Sequence, residues 1–326
     1  EDMDEYEART PTFGSSVISG RSSSWQNRAQ AHQAGECEDN QCAEEGCDPE
    51  ECGDESRPPR ETICFGLDKR PFLPLGLSLS TVASALCMIA VQMPFLRQLG
   101  GHANFCSFFF LTLFTVTLCC MVYATMADPG QFKESNWNEM RGLNDTSRAS
   151  LPKRAHKAWL YKFPIRRYDH YCRWLMNAIG LLNHRSFFVM CTGLLIAAIC
   201  GALLDTMLLV AFGSSDAEWS VAFFIAIHLV YSCFVAALVG PILWLHIGFI
   251  SRNELANEWK LNSFYVAYSD KAGDKIPVND MSDEEFNNSF DMFEYDSSRN
   301  PWDRGCIENC MIFWFTPRHG AGELGE

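Results

Sequence analysis

Four long apolar blocks, Phe72 to Leu96, Phe105 to Ala127, Ser186 to Phe212 and Ser220 to Ile250, alternate with polar stretches along the chain. Each exceeds the roughly 20 residues that an α-helix needs to cross a ~30 Å hydrocarbon layer. Buried helices of large soluble proteins are rarely so long and so uniformly apolar. The pattern predicts an all-α integral membrane protein with four transmembrane helices. Residues 1–71 read as a disordered acidic tail, 72–127 as helices one and two, 128–185 as a polar segment, 186–250 as helices three and four, and 251–326 as a polar C-terminal region.

Lysine and arginine set the orientation. The 128–185 segment carries eleven of them, among them Arg154, Arg166, Arg167, Arg173 and Arg185, whereas the Gly100–Asn104 and Gly213–Trp219 loops carry none. The positive-inside rule then puts both termini and residues 128–185 in the cytosol. The polar first 60 residues show no signal-peptide pattern, so the first span is expected to act as its own signal.

Composition adds less. The mean hydropathy of −0.08 looks soluble only because apolar and polar blocks cancel. The net charge of −14 comes mostly from the first 60 residues and from Asp270 to Asp296. No basic stripe with interleaved aromatics is present, which argues against a nucleic-acid partner. Of 15 cysteines, seven (Cys87, Cys106, Cys119, Cys120, Cys191, Cys200, Cys233) lie in apolar blocks and read as small hydrophobes rather than disulfide partners. Asp205 in the third block is either a functional intramembrane carboxylate or, as its place near the non-cytosolic end favours, a snorkelling or capping side chain. His228 and His246 read as satisfied interior histidines.

The chemistry-bearing run is Asp169-His170-Tyr171-Cys172, followed by Arg173-Trp174. Cys172 supplies a thiolate nucleophile, His170 a base two residues away, and Asp169 a carboxylate to orient the imidazole. Arg166, Arg167 and Arg173 favour the thiolate and suit the phosphates of a nucleotide-bearing thioester.

With Trp174, Asn177, Gly180, Asn183, Arg185 and Phe187 in ungapped register, this run resembles the core of the DHHC palmitoyltransferase family. Asp128-Pro129-Gly130 after span two, Ser251-Arg252-Asn253-Glu254 after span four (family Thr-Thr-x-Glu, only Glu254 kept), and Asn300-Pro301-Trp302-Asp303-Arg304-Gly305 with Asn309 resemble its other motifs. The resemblance, from about Phe72 to Phe315, implies a protein S-acyltransferase with residues 128–185 as its cytosolic catalytic segment. Its co-substrate would be palmitoyl-CoA or a longer acyl-CoA. It would act on cytosolic-face proteins with membrane-proximal cysteines, among membrane lipids, in Golgi or endoplasmic reticulum rather than plasma membrane. Arg166, Arg167, Arg173 and Trp174 would meet acyl-CoA. Ala197 falls where the family closes the far end of its acyl cavity, and so small a residue predicts tolerance of chains longer than palmitoyl. The alternative is a catalytically silent relative that binds partners or acyl-CoA. A small transporter or receptor is disfavoured, because the spans hold few paired charges.

The family also implies two structural zinc ions. Its ligand positions fall here on Asn144, Ser147, Lys157, Ala158, Tyr161, Pro164, Tyr171 and Ala178, none of them cysteine or histidine. His156 matches a histidine that is not a ligand. Between residues 131 and 185 only His156, His170, Cys172 and His184 remain, and their use would consume the nucleophile and base. No structural zinc is expected. Trp159, Tyr161, Phe163, Tyr168, Tyr171 and Trp174 form either a small apolar core in its place or a set of interfacial anchors. Cys37, Cys42, Cys47 and Cys52, five residues apart in an acidic field, read as part of a disordered tail. Metal binding, auto-acylation and redox sensing stand as alternatives.

Overall fold

The computed structural model describes residues 72–133, 153–213, 218–268, 275–282, 285–286 and 293–318. The tail with its four cysteines and the positions Asn144 and Ser147 lie outside them. Four long helices carry the fold: α1 (Phe72–Gln98), α2 (Ala103–Met126), α3 (His184–Phe212) and α4 (Trp219–Arg252). Their ends fall within two residues of the apolar blocks. All four are long and apolar enough to cross a membrane.

The bundle wears its apolar side outward. Phe105, Val210, Trp219 and Val230 are each at least 70% exposed, whereas Gln92, Asp205, His228, Ser84 and Thr117 are buried. That inversion suits a lipid surround and leaves polar groups to pair inside. Threonines 115, 117 and 125 of α2 each return their hydroxyl to the carbonyl four residues back. Helices α2 and α3 approach closely at Gly193, where a Cβ would lie 2.1 Å from Thr117 Oγ1. In α1 a π turn, Met88–Gln92, precedes Pro94. The wider turn absorbs the hydrogen bond that proline cannot donate.

Asp205 corrects the sequence reading. It neither snorkels nor caps. Its Oδ1 accepts from Gln92 Nε2 at 2.6 Å, and its Oδ2 pairs with His228 Nδ1 at 2.6 Å. His228 Nε2 meets Ser84 Oγ at 2.8 Å. The network joins α1, α3 and α4 inside the far half of the bundle, and His228 is the satisfied interior histidine expected.

The fold is not purely α-helical. A hairpin of β1 (His170–Cys172) and β2 (Asn177–Ile179) sits between α2 and α3. After α4 comes a short α5 (Ala256–Lys260), and after the C-terminal Asn-Pro motif comes α6 (Cys306–Phe315). A separate compact unit includes Tyr265–Tyr295. Its described part is an antiparallel sheet ordered β4 (Lys275–Pro277), β3 (Tyr265–Tyr268), β5 (Glu294–Tyr295).

Candidate active site

The hairpin explains how four consecutive residues divide their work. Alternate side chains of a strand point to opposite faces. His170 and Cys172 therefore share one face, and Tyr171 takes the other. Cys172 pairs with Asn177 across a turn closed by Leu175 N–H on the Cys172 carbonyl, with Met176 at φ 53°. On its own face the Cys172 sulfur is buried in an apolar cluster with Met121, Phe187, Met190, Leu194, Ala198 and Val235, drawn from α2, α3 and α4. Tyr171 instead packs on Trp159, ring centroids 5.5 Å apart.

Asp169 is fully buried. Its Oδ2 accepts from His170 Nδ1 at 2.6 Å, and its Oδ1 accepts from the backbone N–H of Ala256 at 2.9 Å. Burial opposes its charge. The imidazole of His184, the hydrogen bond from His170 and the nearby His246 outweigh burial and hold the carboxyl below its ordinary range. Burial likewise opposes a charged His170, but hydrogen bonds with Asp169 and Cys172 push it up to about 10. The imidazole thus has the carboxylate on Nδ1, and the Cys172 side chain projects from the same strand face. Its ring also packs edge-on against Phe187 at 5.2 Å.

The surrounding motifs are braces. Asp128 Oδ1 accepts from the N–H groups of Gly130 and Gln131, and Gly130 takes φ 110° in that turn. The carbonyls of Pro129 and Gly130 then receive Leu182 and Arg166 N–H. Asn177 Nδ2 donates to the Ala124 and Ala127 carbonyls that end α2, and its Oδ1 accepts from Tyr161. Asn183 closes the loop into α3 by accepting from Gly180 N–H and donating to the Ala178 carbonyl.

Beyond α4, Asn300 Nδ2 donates to the Arg252 carbonyl and Asn309 Nδ2 to the Ser251 carbonyl and to Asp303. Asp303 also accepts from Gly305 N–H, where φ is 90°. Pro301 lies in the same turn. Glu254 is buried against Arg252 at 2.9 Å.

Sequence reasoning missed four partners. The segment that reaches Asp169 is the turn after Ser251–Glu254, through Ala256. Glu258 closes that turn on Leu255 N–H and pairs with Arg154 at 2.7 Å. Asn253, at φ 46°, receives Arg154 and Arg167 and donates to the Trp302 carbonyl. Arg166 donates to the Gly130 carbonyl and lies over Phe132. Arg166 and Arg167 thus hold loops together, while Arg173 and Trp174 stay exposed beside Cys172.

Residues 138–263 match the DHHC palmitoyltransferase family model. Two curated proteins are similar to parts of the chain. The chain is 27% identical to "Probable protein S-acyltransferase 15" of Arabidopsis thaliana over 44% of its own length and 59% of the relative's. It is 28% identical to "Palmitoyltransferase SWF1" of Yarrowia lipolytica over 28% of its length and 27% of the relative's. The chain spans less than two thirds of either relative. The four long apolar helices and the match to this family model support a multi-pass membrane protein.

Among the described residues, the positions that hold zinc in the DHHC family lack zinc donors. Ala158 and Ala178, at two of the ligand positions, are buried with Ile165, and Tyr161 and Tyr168 pack against them. Tyr171 stacks on Trp159, and His156 faces Tyr168 at 4.6 Å. The described positions present methyl groups, rings and the Lys157 ammonium, which donates to the Tyr161 carbonyl, where a tetrahedral site requires imidazole or thiolate donors.

Proposed function

We propose that this chain is a protein S-acyltransferase that carries a palmitoyl-type group from acyl-CoA to substrate cysteines through an acyl-enzyme on Cys172. One observation supports this reading above the rest: a cysteine on the same strand face as a carboxylate-oriented histidine two residues away, buried in an apolar cluster drawn from three helices.

In the first step His170 holds the Cys172 proton as an imidazolium against Asp169, and the sulfur attacks the thioester carbonyl. The carbon–sulfur bond to CoA breaks, and the His170 proton leaves on the CoA thiol. In the second step the neutral imidazole takes the proton of a substrate cysteine. That thiolate attacks the acyl-enzyme, and Cys172 departs with the proton. The acyl tail lies among the apolar side chains below Cys172, toward inward-facing Ala197. Arg173 and Trp174 meet the CoA end. An apolar core of Tyr161, Tyr168, Ala158, Ile165 and Ala178 takes over the bracing that zinc supplies elsewhere in the family. Both termini and the DHHC segment face the cytosol, in Golgi or endoplasmic reticulum, where protein substrates offer membrane-proximal cysteines.

The test is incubation of purified protein with labelled acyl-CoA. A hydroxylamine-labile adduct on Cys172, absent from Cys172→Ser and slowed in both formation and transfer by His170→Ala, supports the reading. A folded wild-type protein that forms no adduct identifies a silent relative.

A further inference from the structure

Asp169 has two neighbours that the acyl-transfer reading does not use. His184 opens α3 and His246 lies in the last turns of α4, 62 positions apart in sequence and adjacent in space. Both rings are buried. His184 Nε2 and His246 Nδ1 each lack a hydrogen-bond partner. Leaving a buried polar nitrogen unpaired is costly, and two around one carboxylate demand a common explanation. His184 Nε2 stands 3.9 Å from Asp169 Oδ1, and one ligand-type atom from each of the three residues lies within 4.8 Å of the others. His246 therefore departs from the satisfied interior histidine that its sequence context suggests.

We infer that Asp169, His184 and His246 form a binding site for one divalent ion of the zinc class. Two imidazoles and a carboxylate are a donor set that such ions favour, with a fourth position left for water. An ion bonded at about 2.0–2.1 Å brings tetrahedral ligand atoms to roughly 3.4 Å from one another. The three groups close in by about an ångström to hold it, so occupancy is reversible rather than a condition of folding. Neither Cys172 nor His170 is consumed, which separates this site from any zinc assembled within residues 131–185 alone. His246 arrives from another helix and completes the set.

The consequence rests on the acyl-transfer reading. An ion beside His184 takes Asp169 Oδ1, in competition with the Ala256 N–H at 2.9 Å, and leaves Oδ2 to the His170 N–H at 2.6 Å. The shared carboxylate then supports the His170 imidazolium less, and loading of Cys172 slows by on the order of tenfold or more.

The test uses the full chain with Cys37, Cys42, Cys47 and Cys52 changed to serine, stripped by EDTA and titrated with zinc or cobalt(II) alone. One ion per chain is expected, with a cobalt spectrum free of thiolate charge transfer and a zinc-dependent rise in Tm. Cys172→Ser keeps all three readouts, whereas His184→Gln and His246→Gln each lose them. Absence of stoichiometric binding, or equal binding by both glutamine variants, overturns the site. Should those variants not fold, X-ray absorption of the zinc-loaded parent decides: a nitrogen and oxygen shell supports the site, and a sulfur ligand refutes it. These readouts require no acyl transfer. Binding without any adduct on Cys172 would remove the enzymatic reading and leave the metal site standing.

Discussion

Replacing Asp169 by asparagine isolates the role of the carboxylate with almost no change of shape. The native side chain accepts at both oxygens, from His170 Nδ1 and from Ala256 N–H. Asparagine has one acceptor oxygen and one amide donor. The Ala256 N–H cannot change its polarity, so the oxygen stays there and the amide turns to His170. Nδ1 must then accept, and the ring proton moves to Nε2, the nitrogen that has to receive the Cys172 proton. The loss of the carboxylate also removes the charge that supports the imidazolium. A wrong tautomer in a comparable triad costs ~10⁴ in rate. We expect acyl loading to fall ~10³–10⁴-fold, or about 4–5.5 kcal/mol in activation free energy. The assay is single-turnover formation of the hydroxylamine-labile adduct, on protein shown by gel filtration and thermal unfolding to be folded. A folded Asp169→Asn protein that loads within tenfold of wild type refutes this assignment.

Ala197→Phe should shift the acyl-CoA preference toward shorter chains, since each buried methylene is worth ~0.8 kcal/mol only where it fits; identical chain-length profiles would retire the role of Ala197. Gly180→Ala should destabilise by about 1–3 kcal/mol, measured by thermal unfolding, because its Cβ would stand 2.6 Å from Ile165 Cγ2 and 2.7 Å from the Pro129 carbonyl oxygen. Burial, with help from Asp128 and Tyr171, pushes the Tyr161 phenol up to about 12. The unfolded chain loses that proton first, so this contribution is intact below pH ~10 and declines as pH rises through 10–12. Tyr161→Phe should flatten the Tm profile in that window, and an unchanged slope would count against it. Exhaustive chelation should leave the protein folded and its acyl loading no slower, whereas unfolding on metal removal would contradict an apolar replacement for structural zinc.

The spans were legible because length and hydropathy are local properties, and the helices end within two residues of the apolar blocks. The division of labour in the Asp-His-Tyr-Cys run was half legible. Residue types suggested a nucleophile and a base, but the face that carries each depends on a hairpin too short to announce itself by periodicity. Long-range pairings were not legible. Nothing near Ala256 marks its N–H as a partner of Asp169, 87 positions away. Asn253 looks like one more polar residue after a span until its αL backbone and four-way hydrogen bonding are seen. Asp205 was misread because its depth along the helix was visible and its partners on α1 and α4 were not. Arg166 and Arg167 carried the expected charge, and the fold uses it to hold loops.

The Asp205 network also bears on how the molecule is made. Gln92 and Ser84 enter the bilayer on α1, ahead of their partners Asp205 and His228 on α3 and α4. Until those arrive, an amide and a hydroxyl wait in hydrocarbon, where only local carbonyls and neighbouring chains offer relief. The network therefore acts as a latch: α1 is secured only when α3 and α4 are in place. A nascent chain stalled after two spans would keep a polar handle exposed to whatever surveys the membrane for unfinished proteins.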